Sequence, residues 1–316
     1  MAHQIKLRVA MCAAVALGLA ATAFAASVPR TCADDFDQFW QRSLSATVAL
    51  APSALGGEAP GWVSFDVTTT VSAEGYYCPG GNHATATPII FIYEDEGAAL
   101  HFALPADRSY LYLRWRDGDA PLADWYLSGL PDRRACSLRR AILTGCQAVD
   151  LVRTDPSVQA ARVGLVGDGF GAVVALAVAA LMPERVAFVI AHQPRPAYHR
   201  LADGAVSSCP AVRKIVQKVS ADPKSSDSIL SALTYFDAIN FVPLVEAPTL
   251  FIAGDADREA PLAEVLQLYD CLRCECDLVV FEGLEHCPTA SLAAFPELLR
   301  RWLAQVETGG RRVTSP

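Results

Sequence analysis

The chain has little charge and no long basic run. Only 19% of its 316 residues are charged, acidic residues outnumber basic ones 34 to 26, and no Lys/Arg run exceeds two. Such a surface neutralises no phosphate backbone, which argues against nucleic acid as a partner. Low charge does not imply disorder here, because 52% of the residues are hydrophobic, enough for a sizeable core. Internal repeats are absent. Beyond residue 25 no apolar stretch approaches the ~20 residues that span a bilayer. Paired Cys-x-x-Cys knuckles are also missing, so the ten cysteines do not form a familiar zinc pattern.

What is present begins at the N-terminus. Lys6 and Arg8 precede an uncharged, alanine-rich stretch, Val9 to Ala21, which leads to Ala23-Phe24-Ala25. Small residues at −3 and −1 fit a signal peptidase site before Ala26, so residues 1–25 are expected to be a cleaved leader. The protein is then expected in the periplasm or outside the cell, with no membrane anchor. Cleavage would remove Lys6, Arg8 and Cys12, leaving nine cysteines and a net charge of −10. In an oxidising compartment, one or two disulfides among Cys271, Cys274, Cys276 and Cys287 are expected, and at least one of the nine cysteines must stay free, bind a metal or pair between chains.

Periodicity gives an alternation of strands and helices. Helical spacing marks Phe36–Leu50, with Asp35 as its cap, and again Leu138–Val152, Ala172–Leu181, Leu262–Leu272 and Ser291–Val306. Strands are expected at Trp62–Val71, Ile89–Tyr93, Leu111–Trp115, Val163–Val166, Val186–Ala191, Thr249–Ala253 and Leu278–Phe281. Cys78–Thr87 reads as a loop, and about 194–232 as an irregular, lid-like insertion. The pattern implies one domain over 26–306, with a flexible tail at 307–316. Strands alternating with helices predict a mostly parallel sheet covered on both faces, with its chemistry at the carboxyl ends of the strands.

Three loops fall on that edge: Gly167–Gly171, Gly254–Pro261 and Gly283–Pro288. The first has the strand–turn–helix shape of a nucleophile elbow, with small residues two before and two after its centre. Asp257 and His286 follow in the order acid, then base. Asp257 would hold the imidazole in one tautomer and stabilise its protonated form. Centring the elbow on Asp168 instead would put Val166 and Phe170 where small residues are needed, so Asp168 reads as a cap for the following helix. Gly167-x-Gly169-x-Gly171 lacks the full spacing of a dinucleotide fingerprint. His83, His101, His192 and His199 read as surface or core residues. No cofactor or metal is implied.

These residues resemble the acetyl xylan esterase and cephalosporin C deacetylase family of α/β-hydrolases. Phe36-Asp37-Gln38-Phe39-Trp40 looks like its N-terminal helix signature, and Leu233–Asn240 is similar to its Ser/Thr-Tyr-Phe-Asp-x-x-Asn segment. Gly254-Asp255-Ala256-Asp257 and His286 match its acid and base loops. The resemblance implies an α/β-hydrolase fold, an acetylated carbohydrate or small ester as ligand, and oligomeric assembly. It also exposes two departures. The family's Gly-x-Ser-x-Gly is here Gly167-Asp168-Gly169-Phe170-Gly171, so Gly169 stands at the nucleophile position. Its His-Gly-Tyr oxyanion segment is replaced by Tyr93-Glu94-Asp95, with Glu96 following; Asp95 and Phe170 hold the oxyanion-equivalent positions. Loss of the serine from such a triad costs about 10⁶-fold in kcat, or roughly 8 kcal/mol. The expectation is therefore a catalytically impaired member.

Overall fold

The structure is a computed structural model, which describes residues 7–10, 31–50, 55, 59–80, 86–93, 107–115, 121–155, 158, 161–195, 198, 208–287 and 293–308. Nine strands are described: β1 Leu7–Ala10, β2 Gly61–Thr68, β3 Val71–Cys78, β4 Ile89–Ile92, β5 Tyr110–Arg114, β6 Val163–Asp168, β7 Val186–His192, β8 Thr249–Gly254 and β9 Cys276–Phe281. They form one sheet in the order β1-β9-β8-β7-β6-β4-β5-β3-β2. The block from β5 to β9 is parallel, whereas β1, β2 and β3 are antiparallel additions at its two edges. From β4 the chain passes to β5 on one side and then to β6 on the other. The crevice between the carboxyl ends of β4 and β6 is thus a topological switch point.

Two helices explain why β6 is buried on one side. Helix α3 (Ser137–Thr154) and helix α4 (Phe170–Leu181) pack there, and α4 is Ala/Val-rich and buried almost all round. The opposite face of the sheet packs beneath α9 (Phe295–Glu307), through Phe295, Leu299, Trp302 and Leu303. The fold is therefore the expected α/β sandwich of layers.

The two motif patches far apart in sequence meet in space. Helix α1 (Phe36–Leu44) sets Phe36, Phe39 and Trp40 against Tyr235, Phe236 and Phe241. Trp40 Nε1 donates to the Tyr235 carbonyl at 3.1 Å. Burying each such side chain is worth about 1.5–3 kcal/mol, so this contact fixes the N-terminal helix to the sheet. Asn240 Nδ2 donates to the Thr234 carbonyl at 2.7 Å, and its Oδ1 accepts from the Thr31 amide at 2.9 Å. Asp237 caps the short helix α7 (Ala238–Phe241) by accepting from the Ile239 amide. The Tyr-Phe-Asp segment is thus structural.

Several expectations need correction. Helix α1 ends at Leu44, and Asp35 makes no capping bond; its carboxylate instead pairs with Arg133 at 2.7 Å and takes the Tyr235 hydroxyl. Residues 71–78 form β3 and make a hairpin with β2, whereas the expected strand runs on to Val71 with no element expected over 72–77. Much of the supposed irregular insertion is helical, as α5 (Pro210–Ala221) and α6 (Pro223–Leu233). Each begins with proline in its first turn, where no amide is needed, and each buries an apolar stripe that includes Ile215 or Ile229. No disulfide joins the described cysteines, Cys32 to Cys287, including the four expected to supply one. Tail residue Glu307 belongs to α9 and pairs with Arg108 at 2.8 Å, while residues 309–316 lie outside the described residues.

Candidate functional site

The glycine-rich turn closes β6 and opens α4. Gly169 has φ +58° and ψ −120°, a conformation that side-chain-bearing residues adopt only under strain. Its flanks must be glycine on packing grounds. A Cβ on Gly171 would stand 1.7 Å from the Ile92 carbonyl oxygen, and one on Gly167 would stand 2.3 Å from the Gly171 oxygen. The elbow backbone is complete, and its apex carries no side chain. Phe170, at the first position of α4, buries its ring against Trp115, Trp125 and Tyr126. In a helix's first turn the amides have no intrahelical acceptor, so the Phe170 N–H can donate to an anion at the elbow.

The loops that carry Asp257 and His286 meet. His286 Nδ1 lies 2.9 Å from Asp257 Oδ2, and the Asp257 side chain is fully buried. Its other oxygen accepts from the amides of Glu259 at 2.8 Å and Ala260 at 2.9 Å. Burial pushes the Asp257 carboxyl up, but the bond from His286, those two amides and the imidazole charge outweigh it, so its pKa is lowered overall. With Nδ1 engaged by the carboxylate, Nε2 is the nitrogen available for proton transfer.

Between these halves runs a segment that sequence reasoning missed. Gln193, just beyond β7, is buried and has φ +45°, a rare conformation for a residue with a side chain. Its Nε2 donates to the Glu285 carbonyl at 3.1 Å, and its Oε1 accepts from the Cys287 amide at 3.0 Å. One side chain therefore grips the backbone on both sides of His286. The Gly169 amide donates to the His192 carbonyl at 3.0 Å, and the Arg195 amide donates to the Gly169 carbonyl at 3.2 Å. Arg195 also pairs with Glu259 at 2.7 Å, two residues past Asp257. Elbow, acid and base are joined through His192–Arg195. Nothing in the local sequence signals a clamp at Gln193.

Asp168 does not cap α4, since the helix makes no side-chain capping bond. Its carboxylate turns to His192 instead, with Oδ1 3.1 Å from Nδ1, both side chains buried and in lateral register on β6 and β7. A buried Asp168 held in this way cannot serve as an alternative nucleophile above the sheet. Tyr93, at the end of β4, is buried nearby. Burial, followed by the Asp168 carboxylate and Tyr112, holds its phenol well above the ordinary pKa. Burial and the carboxylates of Asp168 and Asp257 push the Cys287 thiol up to about 11. Glu94, Asp95 and Glu96 lie outside the described residues, as do His83, His101 and His199.

Among the described residues, no group of three or more His, Cys, Asp or Glu converges as metal ligands do. A cavity of about 480 Å³ opens at the opposite, amino-end edge of the sheet, between Ile89, Tyr110 and α9. Arg108 on its wall is engaged by Asp107, Glu307 and the Thr87 carbonyl, and the cavity is separate from the elbow.

The sequence model of acetyl xylan esterases (AXE1) matches residues 118–305, which include the elbow, the acid and the base. The chain belongs to the acetyl xylan esterase family. Solved structures agree with that fold. Acetyl xylan esterase 1 from Thermoanaerobacterium sp. JW/SL YS485 is 19% identical, with a TM-score of 0.70 over 89% of this chain and 96% of that one. The acetyl xylan esterase from Paenibacillus sp. R4 is also 19% identical, with a TM-score of 0.71 over 87% and 96%. Est1E from Butyrivibrio proteoclasticus is more distant, at 15% identity and a TM-score of 0.57 over 78% and 99%. Against the family pattern, this member has Gly169 at the apex of its elbow.

Proposed function

We propose that this chain is an exported acetyl xylan esterase homologue that has lost covalent catalysis and binds a small ester or an acetylated carbohydrate. The observation that carries the reading is Gly169 itself: a strained elbow with no side chain at its apex. A missing serine removes about 8 kcal/mol of transition-state stabilisation, which ligand binding does not recover. The carboxylates of Glu94 and Asp95, in place of oxyanion donors, would oppose the developing charge, at about 3 kcal/mol per lost donor.

A fluorophosphonate probe is expected to leave the protein unlabelled, while acetylated xylo-oligosaccharide raises its melting temperature. Labelling at any serine in the site contradicts the reading. The intact Asp257–His286 pair favours a second reading, in which His286 activates water directly and no acyl-enzyme forms. Mass spectrometry of the exported protein is expected to find Ala26 as the first residue. Cleavage there would free the β9 edge, which Leu7–Ala10 covers in the full chain. Among the described residues no helix is long and apolar enough to cross a membrane. Self-assembly, implied by the family resemblance, is read by sedimentation.

A further inference from the structure

We infer that the outer face of the β2-β3-β5 extension is a second binding surface, for an uncharged polysaccharide chain stacking on Trp62. Trp62 is 59% exposed, although the other four tryptophans are at most 6% exposed. Register places it at the end of an aromatic row that crosses four strands: Trp62 opposite Tyr76, Tyr76 opposite Tyr112, and Tyr112 opposite Phe91. Trp62 and Tyr76 meet edge to face at 5.6 Å, so the indole is held in place while most of it stays in water. A flat ring fixed on a sheet surface offers the C–H face of a sugar a rigid platform with little side-chain entropy left to lose.

The polar groups around the ring select the class of ligand. Arg114 sits 5.5 Å from the Trp62 ring centre and pairs with Glu74 at 3.3 Å, so those two charges cancel. Ser72 donates to Asp66 at 2.8 Å, and Ser64 lies in register with Glu74. The face thus offers carboxylate and hydroxyl oxygens without net positive charge, which complements a neutral, hydroxyl-rich polymer and disfavours an anionic one. A second copy of the chain fits poorly. Three strands by four residues make a patch of roughly 200 Å², whereas a stable dimer buries about 800 Å² per partner.

The surface lies roughly 19 Å across the sheet from β6, so it does not depend on what the elbow does. N-bromosuccinimide is expected to oxidise Trp62 first, and soluble xylan is expected to protect it; polygalacturonate is expected not to. In affinity electrophoresis through xylan, Trp62→Ala should weaken retardation about tenfold, and Trp62→Phe should keep most of it. Oxidation of Trp62 unaltered by xylan, equal protection by polygalacturonate, or wild-type retardation of a folded Trp62→Ala variant each overturns the inference. So does a Trp62→Ala variant that sediments as a smaller species than the wild type.

Discussion

The two halves of the carboxyl edge have diverged in different ways. On the Asp257–His286 side the side-chain pairing is intact: the two are 2.9 Å apart, and Gln193 clamps the backbone around the histidine. On the elbow side, Gly169 keeps the positive-φ turn, and no side chain stands at its apex. The elbow backbone is held by packing, since Gly167 and Gly171 touch neighbouring backbone, so the reactive side chain can be absent while the turn stays in place. The backbone of the family's elbow is therefore separable from the side chain at its apex.

The largest effect should come from disturbing that packing. Gly171→Ala drives a Cβ into the Ile92 carbonyl, backbone against backbone, and is expected to cost about 3 kcal/mol or more in urea unfolding. A variant as stable as wild type would show that the elbow is not held by that contact. Gly169→Ala is expected to cost about 1–3 kcal/mol, because the positive φ opposes any side chain. Gly169→Ser is expected to remain at least about 10²-fold below a complete triad in esterase rate, since Tyr93-Glu94-Asp95 replaces the family's second oxyanion segment. Full rescue would place the whole defect in one atom group.

The acid–base side should respond more gently. Gln193→Ala removes two hydrogen bonds and is expected to cost about 1–3 kcal/mol. Its more telling readout is broadening or loss of the His286 Nδ1–H resonance in NMR, which an unclamped loop would produce. The pH effect should be the smallest. Because the folded-state pKa of Asp257 is lowered, the ionised carboxylate stabilises the fold above its unfolded value of about 4. That stability is lost as pH falls through the lower folded value. The gap between wild type and Asp257→Asn should therefore be widest near pH 7 and close as pH falls below about 4. A gap that widens in acid would contradict the ionised pair.

The legible features were those set by local pattern. Continuous apolar runs ending in glycine marked β6 and β8, and chain order placed Asp257 and His286 on one edge. The hairpin was harder to see. Ser72-Ala73-Glu74-Gly75 has weak strand propensity, and β3 is a strand because it pairs on both sides, with β2 and β5. Helices α5 and α6 were hidden by their initial prolines, which read as loop until the buried stripe is known. Asp168 and Asp35 were misread as caps because their true partners, His192 and Arg133 with Tyr235, come from distant segments. Gln193 was invisible for the same reason: its role is defined by the Glu285 and Cys287 backbone, 92 and 94 residues away.

The central claim is that the dyad persists without covalent catalysis. Its most direct test is p-nitrophenyl acetate hydrolysis by the wild type and by His286→Ala, compared at equal protein concentration. The account predicts the same near-background rate for both. Turnover by the wild type that His286→Ala abolishes would contradict it and assign the chain a working, serine-independent hydrolysis.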